Sequence, residues 1–496
     1  MIREVKMKKI LSFMIILMVS ISLLAFGIGC KETAVETAAE TAAETEAETA
    51  AEAEAETTAE AAAEAVTITV PRILGWVTTD AVIPAIAEEL AKDNINIEVI
   101  DLEFGTFRNK QMMEATQGTD AYDIYLASDG VMPIMPDYLE PLDSYLVEAG
   151  IDIEEFKSRF YPNVVDLMSN DKGELIWIPM HINCQIGYAR TDLFTSADEQ
   201  AAFKTQYGYD LPVPDATGLI EFKDKDQFLD VAKFFTRDDL WGFVPPGKWD
   251  HGGCFFEELM YRAGLEYFTP EGHSKWGPTA SEETKAAVEA IVTFTSGLVQ
   301  DAKVSPEGIL GMEMTEVNNI FKEGKAAMTF TWNVDFWGEN NKPEVMKAWG
   351  DTMPSSWSVS FMDTVPENMG PMSIWSFGLN KNSANKEAAI KFLLLAADDA
   401  MRKSIHEAAG LPCGNGSVEI TPWLVEKGYA PGVFTAAIKD VGSWWPTTDA
   451  FPETELCRDV VRENHEKVLS GEITPAQFVE ITGTAIEAIM QEAGYF

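Results

Sequence analysis

Thirteen tryptophans punctuate this 496-residue chain, and several stand beside short polar side chains. Trp249-Asp250-His251 lies among Pro245, Pro246, Gly247, Gly252 and Gly253, a composition that predicts a loop. Trp444 and Trp445 stand together before Pro446, and Trp76 and Asp129 each follow a predicted strand. An indole offers a flat apolar face, while a neighbouring amide or carboxylate offers hydrogen bonds. That pairing suits a ligand with apolar C–H faces and many hydroxyl groups, such as a sugar ring. A lone tryptophan is more often core than ligand platform, so residue type alone does not choose among the thirteen.

Groups for covalent chemistry are scarce. Gly324-Lys325 is followed by Ala326 and lacks the upstream glycine of a phosphate loop. No GxSxG is present, and neither His406-Glu407 nor His465-Glu466 has the second histidine of a zinc protease motif. There are five histidines, few for metal ligands or general bases. Besides Cys30, the cysteines are Cys184, Cys254, Cys413 and Cys457, and none is spaced as CxxC. One disulfide could form among them in an oxidising compartment, without the sequence choosing the pairing. No cofactor and no metal are expected.

The chain carries 37 basic and 80 acidic residues, a formal charge of −43. Nucleic acid and anionic membrane surfaces are therefore poor partners. Attraction of a cationic solute is compatible with that charge.

The elements that would hold these residues alternate in type. Residues 66–73 and 95–102 read as strands rich in β-branched residues, with a third at 122–127. Between them fall helices, one capped by Asp80 with Val82, Ile83, Ile86 and Leu90 on one face, the other over 107–116. This alternation predicts an α/β lobe with a largely parallel sheet, whose ligands sit beyond the carboxyl ends of the strands. Later come amphipathic helices at 285–295 and 386–397 and a short strand at 374–379. A closing helical segment over 471–491 is expected to be interrupted near Pro475.

The N-terminus reads as an address. Arg3, Lys6, Lys8 and Lys9 precede an uncharged apolar run over 10–28, and small residues lead to Cys30. That order predicts a secretory signal over 1–29; the alternative is an uncleaved anchor, since the run is about long enough to span a bilayer. Residues 30–65 are almost entirely Ala, Glu and Thr after the cysteine, with Glu at every fourth position from Glu32 to Glu64. Like charges so spaced repel along a helix face, and no apolar stripe exists to bury. The segment is expected to be an acidic tether with a reach on the order of 30 Å.

Five blocks in order resemble the family 1 extracellular solute-binding proteins of ABC importers, the group that includes maltodextrin-binding proteins. The clearest is Phe321-Lys-Glu-Gly-Lys-Ala-Ala-Met328-Thr-Phe-Thr-Trp332, matching an F-x-x-G-K-A-A-M segment followed by a ligand-facing aromatic. The others are Tyr122-Asp-Ile-Tyr125 through Asp129, Leu175-Ile-Trp-Ile-Pro179 through Phe194, Asn385 through Leu393 with Gly410-Leu-Pro412, and Ser470-Gly-Glu-Ile-Thr-Pro475. Two segments depart from the family pattern: Gly370-Pro-Met-Ser373 replaces a Gly-Gly, and Leu211 to Thr217 lacks a Thr-Trp.

The resemblance implies a two-lobed periplasmic-binding-protein fold, each lobe a mostly parallel sheet flanked by helices, joined by three hinge crossings near 180–185, 372–378 and 420–432. Lobe I would hold 66–180 plus 375–425, and lobe II 185–372 plus 430–496. A carbohydrate would bind between them, and the closed form would dock on an ABC permease. On this reading Trp332, Asp129, Trp76, Trp249, Trp375, Trp444, Trp445 and Asn183 are ligand-binding candidates. His181 and Asn183 would lie on the first crossover and Trp375 on the second, with Trp444 and Trp445 in the region that supplies a late aromatic. A cysteine just after the cleavage point resembles a bacterial lipoprotein, so Cys30 would carry the lipid that tethers a monomer to the membrane, outside the cytoplasm. Two other functions fit the composition: a receptor for a non-sugar solute such as a polyamine, and an extracellular glycoside hydrolase using two carboxylates about 5–10 Å apart. A structural surface protein is a third, and predicts no ligand-induced closure.

Overall fold

The computed structural model describes residues 65–128, 130–216, 218–332, 355–359, 372–409, 414–427 and 451–496. The expected signal, Cys30, the tether up to residue 64, Asp129, Trp444, Trp445 and the third hinge crossing beyond residue 427 lie outside the described residues. Nine strands are described: β1 (Val66–Ile73), β2 (Ile95–Leu102), β3 (Ile124–Ser128), β4 (Ile178–Ala189), β5 (Leu219–Phe222), β6 (Trp241–Val244), β7 (Ala326–Trp332), β8 (Ser355–Val359) and β9 (Met372–Leu379). The helices that concern the site are α1 (Val77–Leu90), α2 (Phe104–Gln117), α3 (Pro162–Met168), α4 (Lys225–Phe235), α5 (Trp249–Arg262) and α6 (Glu282–Gln300). Further helices used below are α7 (Met314–Lys322), α8 (Lys386–Ala397), α9 (Asp399–Ala409), α10 (Thr454–Leu469) and α11 (Pro475–Ala493).

The fold is α/β and two-lobed, and strand β4 explains how the lobes are joined. Its first half, up to Cys184, pairs with β9; from Gln185 onward it pairs with β7, and its last residues also with β8. One continuous strand thus changes partners between Cys184 and Gln185. On the first side lie β3 and β9, with β1 joined to β3 where Asp123 N–H donates to Thr69 O at 3.0 Å. On the second side lie β5 to β8.

The sheets are mixed, which corrects the expectation of mostly parallel ones. β1–β2, β5–β8 and β6–β7 are parallel, as helix-linked strands must be. β3–β9, β9–β4, β4–β7 and β4–β8 are antiparallel, because β4 and β9 run against the strands they join.

Two hydrophobic cores follow this division. The first gathers Ile68, Val70, Ile83, Ile86, Trp177 and Phe377 and continues across β4 through Ile186 to Phe321 of α7. The second is phenylalanine-rich, with Phe228, Phe235, Phe256 and Phe478. Burying each such side chain contributes roughly 1.5–3 kcal/mol. At Gly378 of β9 a Cβ would come within 2.7 Å of the Trp177 ring, so this strand lies on the indole only because the residue is glycine.

Three local expectations need correction. Helix α1 starts at Val77 after Trp76, not at Asp80, whose N–H already donates to Trp76 O at 3.0 Å and whose carboxylate pairs with Arg72 at 3.4 Å. The stretch at Trp249 is the start of α5, not a loop; Gly252 and Gly253 are tolerated inside it, and Gly253 lets the Arg462 side chain of α10 approach closely. Pro475 starts α11 rather than interrupting a helix: Thr474 caps the helix and a proline at its first position loses no hydrogen bond.

Candidate functional site

Around the point where β4 changes partners, its sequence alternates. His181, Asn183 and Gln185 share one face, while Met180, Ile182 and Ile186 take the other. Residues directly opposed across an antiparallel pair share a face. Trp375 lies opposite both His181 and Ser128, Ser373 lies opposite Asn183, and Trp332 lies opposite Gln185. One sheet face therefore carries Ser128, Trp375, Ser373, His181, Asn183, Gln185 and Trp332 across the junction of the lobes. The opposite face is core: Ile182 packs towards Val164 of α3 over Gly416.

Trp76 covers part of this face. It ends the turn after β1, its N–H donating to Ile73 O at 3.1 Å. Its ring lies 4.6 Å from that of Trp375 and 6.0 Å, nearly perpendicular, from His181. Phe107 of α2 packs on Trp375 from another side at 5.3 Å. Trp375 is 7% exposed, whereas Trp76 and Trp332 are half-buried. Trp375 is thus fixed, and the other two indoles keep accessible surface.

Several polar groups here are buried and short of partners. Both amide atoms of Gln185, both ring nitrogens of His181, Ser128 Oγ and Thr78 Oγ1 of α1 are buried with no hydrogen-bond partner among the described residues. An unpaired buried polar group costs about 1–3 kcal/mol, so several in one place are the mark of a surface built to hydrogen-bond something else. His181 sits deepest. Burial, and then the charge of Arg402 and the neighbouring His406 on α9, push its imidazole down to about 3. At neutral pH the ring is uncharged and holds one donor and one acceptor.

The structure thus brings together Trp76, Trp375, Asn183 and Trp332. Trp249 follows β6, beside β7, at the start of α5. Sequence reasoning missed Gln185, Ser128, Ser373, Thr78 and Phe107. For Gln185 a signal existed: His181, Asn183 and Gln185 alternate with Ile182 and Ile186, the pattern of a strand with one polar face. Among the described residues no three His, Cys, Asp or Glu side chains gather as a metal site requires. Of the cysteines with described side chains, Cys254 and Cys457 are buried, and burial pushes the Cys457 thiol up to about 12. No described helix is long and apolar enough to cross a membrane.

Comparison with known proteins gives a consistent answer. The family described as bacterial extracellular solute-binding protein matches residues 75–403. Binding proteins of Brucella abortus strain 2308 and Brucella suis biovar 1 are 27% identical over 198 residues, which is 39% of this chain and 39% of theirs. The chain therefore matches about two fifths of the length of these curated relatives. Among solved structures, maltose-bound MalE3 of T. maritima superposes with a TM-score of 0.67 at 17% identity, covering 86% of this chain and 100% of that one. A solute-binding protein of Agrobacterium vitis S4 with bound D-mannitol gives 0.67 at 18% identity, covering 87% and 99%. A substrate-binding protein of Listeria monocytogenes in complex with cycloalternan gives 0.62 at 18%, covering 86% and 100%. At these identities the superpositions establish the two-lobed fold.

Proposed function

The chain belongs to the bacterial extracellular solute-binding protein family, and on that premise we propose that it captures a sugar or oligosaccharide in the cleft between its lobes. Lobe I comprises 66–180 plus 375–425 and lobe II 185–372 plus 430–496. The loaded, closed form delivers the solute to an ABC permease. Cys30 carries a lipid that holds the protein outside the cytoplasm, and the protein performs no covalent chemistry.

The observation that carries this reading is the face shared by the two halves of β4. Trp76 and Trp332 supply accessible stacking surface on either side of the buried Trp375, and Asn183, Gln185, Ser128 and Ser373 supply neutral donors and acceptors. Hydroxyl groups donate and accept at once, so they would satisfy the Gln185 amide and the Ser128 hydroxyl, which a purely apolar solute would leave unpaired. Maltose, mannitol and cycloalternan in the structural neighbours belong to the same chemical class. None of the described residues on this face is a carboxylate, which argues against a polyamine and against a pair of catalytic acids.

A thermal-shift screen of the protein against mono- and oligosaccharides, polyols, polyamines and amino acids tests the proposal. A solute that binds only the folded state raises the melting temperature. A rise with one sugar or polyol class is the expected result. A rise with a cationic solute alone would discard the sugar, and reducing sugar released from an oligosaccharide panel would discard the transport reading.

A further inference from the structure

A second contact between the lobes lies beside the aromatic face and involves charge. Glu455, in the first turn of α10, belongs to the second lobe, and its Oε2 accepts from Arg108 Nη1 of α2 in the first lobe at 2.6 Å. Its Oε1 accepts from Arg458 Nη1 at 2.5 Å, and Arg462 lies 3.7 Å away. Arg458 also donates to Glu257 of α5 at 3.2 and 3.4 Å, and Tyr267 donates to the same carboxylate at 2.6 Å. Arg458, Arg462, Glu257 and Tyr267 all belong to the second lobe, so these contacts lie within one lobe.

Arg108 and Gly130 are the exceptions. A Cβ on Gly130, in the turn after β3, would come within 2.2 Å of Glu455 Oε1. The carboxylate thus lies directly against the backbone of the first lobe, and a larger residue there would push it off Arg108. The Glu455 side chain is 19% exposed and that of Arg458 only 5%, so their interactions are less screened than a surface ion pair's. Burial alone would raise the Glu455 carboxyl, but Arg458, Arg108 and Arg462 outweigh it and hold the group ionised far below the usual carboxylate range. Arg108 follows Phe107, whose ring packs on Trp375, so this contact and the aromatic face share one turn of α2.

We infer that Glu455 is an interlobe latch: by gripping Arg108 and the Gly130 backbone, it sets how far the two lobes stand apart when no solute is bound. The inference rests on reading the chain as a receptor whose lobes open and close. The latch acts without solute, so its test needs none. Small-angle scattering of the full chain in solute-free buffer would compare wild type with Glu455→Gln, Arg108→Gln and Gly130→Ala, with the cooperative melt of each checked alongside. The N-terminal residues are identical in all four, so differences in radius of gyration report the lobes. The expected result is a larger radius in all three folded variants. Glu455→Gln perturbs the second lobe and Gly130→Ala the first, so loss of folding in one leaves the other to decide. An unchanged radius in the folded variants would overturn the latch. So would weaker sugar binding by Glu455→Gln at an unchanged radius, which would make Glu455 a solute contact. Absence of sugar binding in wild type would sink the sugar proposal and leave the scattering result readable.

Discussion

Two concave regions of this protein invite a ligand, and they are built in opposite ways. Between α4 and α6 runs a groove of about 520 Å³, floored by Leu229, Phe294 and Leu298 and rimmed by Lys233, Glu289 and Asp301. Its charged groups reach water, and its floor is the outer surface of a phenylalanine-rich core. The face along β4 differs: Gln185, His181 and Ser128 are buried there with no hydrogen-bond partner among the described residues, and its strands β9 and β7 bring Trp375 and Trp332 from either side of the change of partners in β4. Space alone marks a gap between two helices. A site is marked by buried groups whose cost to the fold is recovered only when something binds.

The largest effect should fall on the fixed end of the face. Trp375→Ala removes a ring packed by Trp76 and Phe107, and should destabilise the protein by about 3–5 kcal/mol in denaturant unfolding. A change below 1 kcal/mol would mean that the indole is not structural and that the two ends of the face are alike.

His181 should make stability depend on pH. Its folded value of about 3 lies below that of the unfolded chain, near 6.5. Its contribution is therefore complete above about pH 6.5 and is lost as pH falls towards 3, at up to about 1.4 kcal/mol per pH unit. Arg402 and His406 face it and oppose its protonation further. Denaturant midpoints of wild type and His181→Gln between pH 4 and 7 should converge on acidification, and parallel curves would remove the histidine from the account.

At the accessible end the effect shifts from stability to binding. Trp332→Ala should weaken solute binding by about 1–3 kcal/mol through lost stacking and apolar burial, with the fold intact. Calorimetry giving an unchanged affinity would misplace the second-lobe half of the site. Gln185→Ala should cost about 0.5–1.5 kcal/mol of affinity and leave the solute-free protein no less stable, because its amide has no hydrogen-bond partner among the described residues to lose. Thr293→Trp, which fills the α4–α6 groove, should change affinity by less than about 0.5 kcal/mol; a larger loss would reverse the roles of the two regions.

The fold was largely legible because its strands and helices carry their own periodicity. Residues 95–102 and 386–397 form the elements that their patterns predict. The parallel expectation failed because β4 and β9 pair with strands far away in the sequence, as Ala189 with Met328 and Ile124 with Leu379, which local alternation does not encode. The start of α5 was hidden by the prolines before it and the glycines within it, where packing against α10 overrides composition. Within the candidate site, Trp332 was legible from its motif, and Trp76 from its place after β1. Gln185 could have been read from the alternation in β4, but Ser128 and Thr78 acquire meaning only from register and burial. The meeting of Glu455 with Arg108 spans 347 residues, and nothing in either local sequence announces it.

The comparison between cleft and groove is decided most directly by hydrogen–deuterium exchange of the full chain with and without the sugar or polyol that the thermal screen selects. The account predicts slower exchange in segments from both lobes, around residues 76–80, 183–189 and 326–332, with 225–233 and 286–302 unchanged. Protection confined to 225–233 and 286–302, or to one lobe alone, would contradict it.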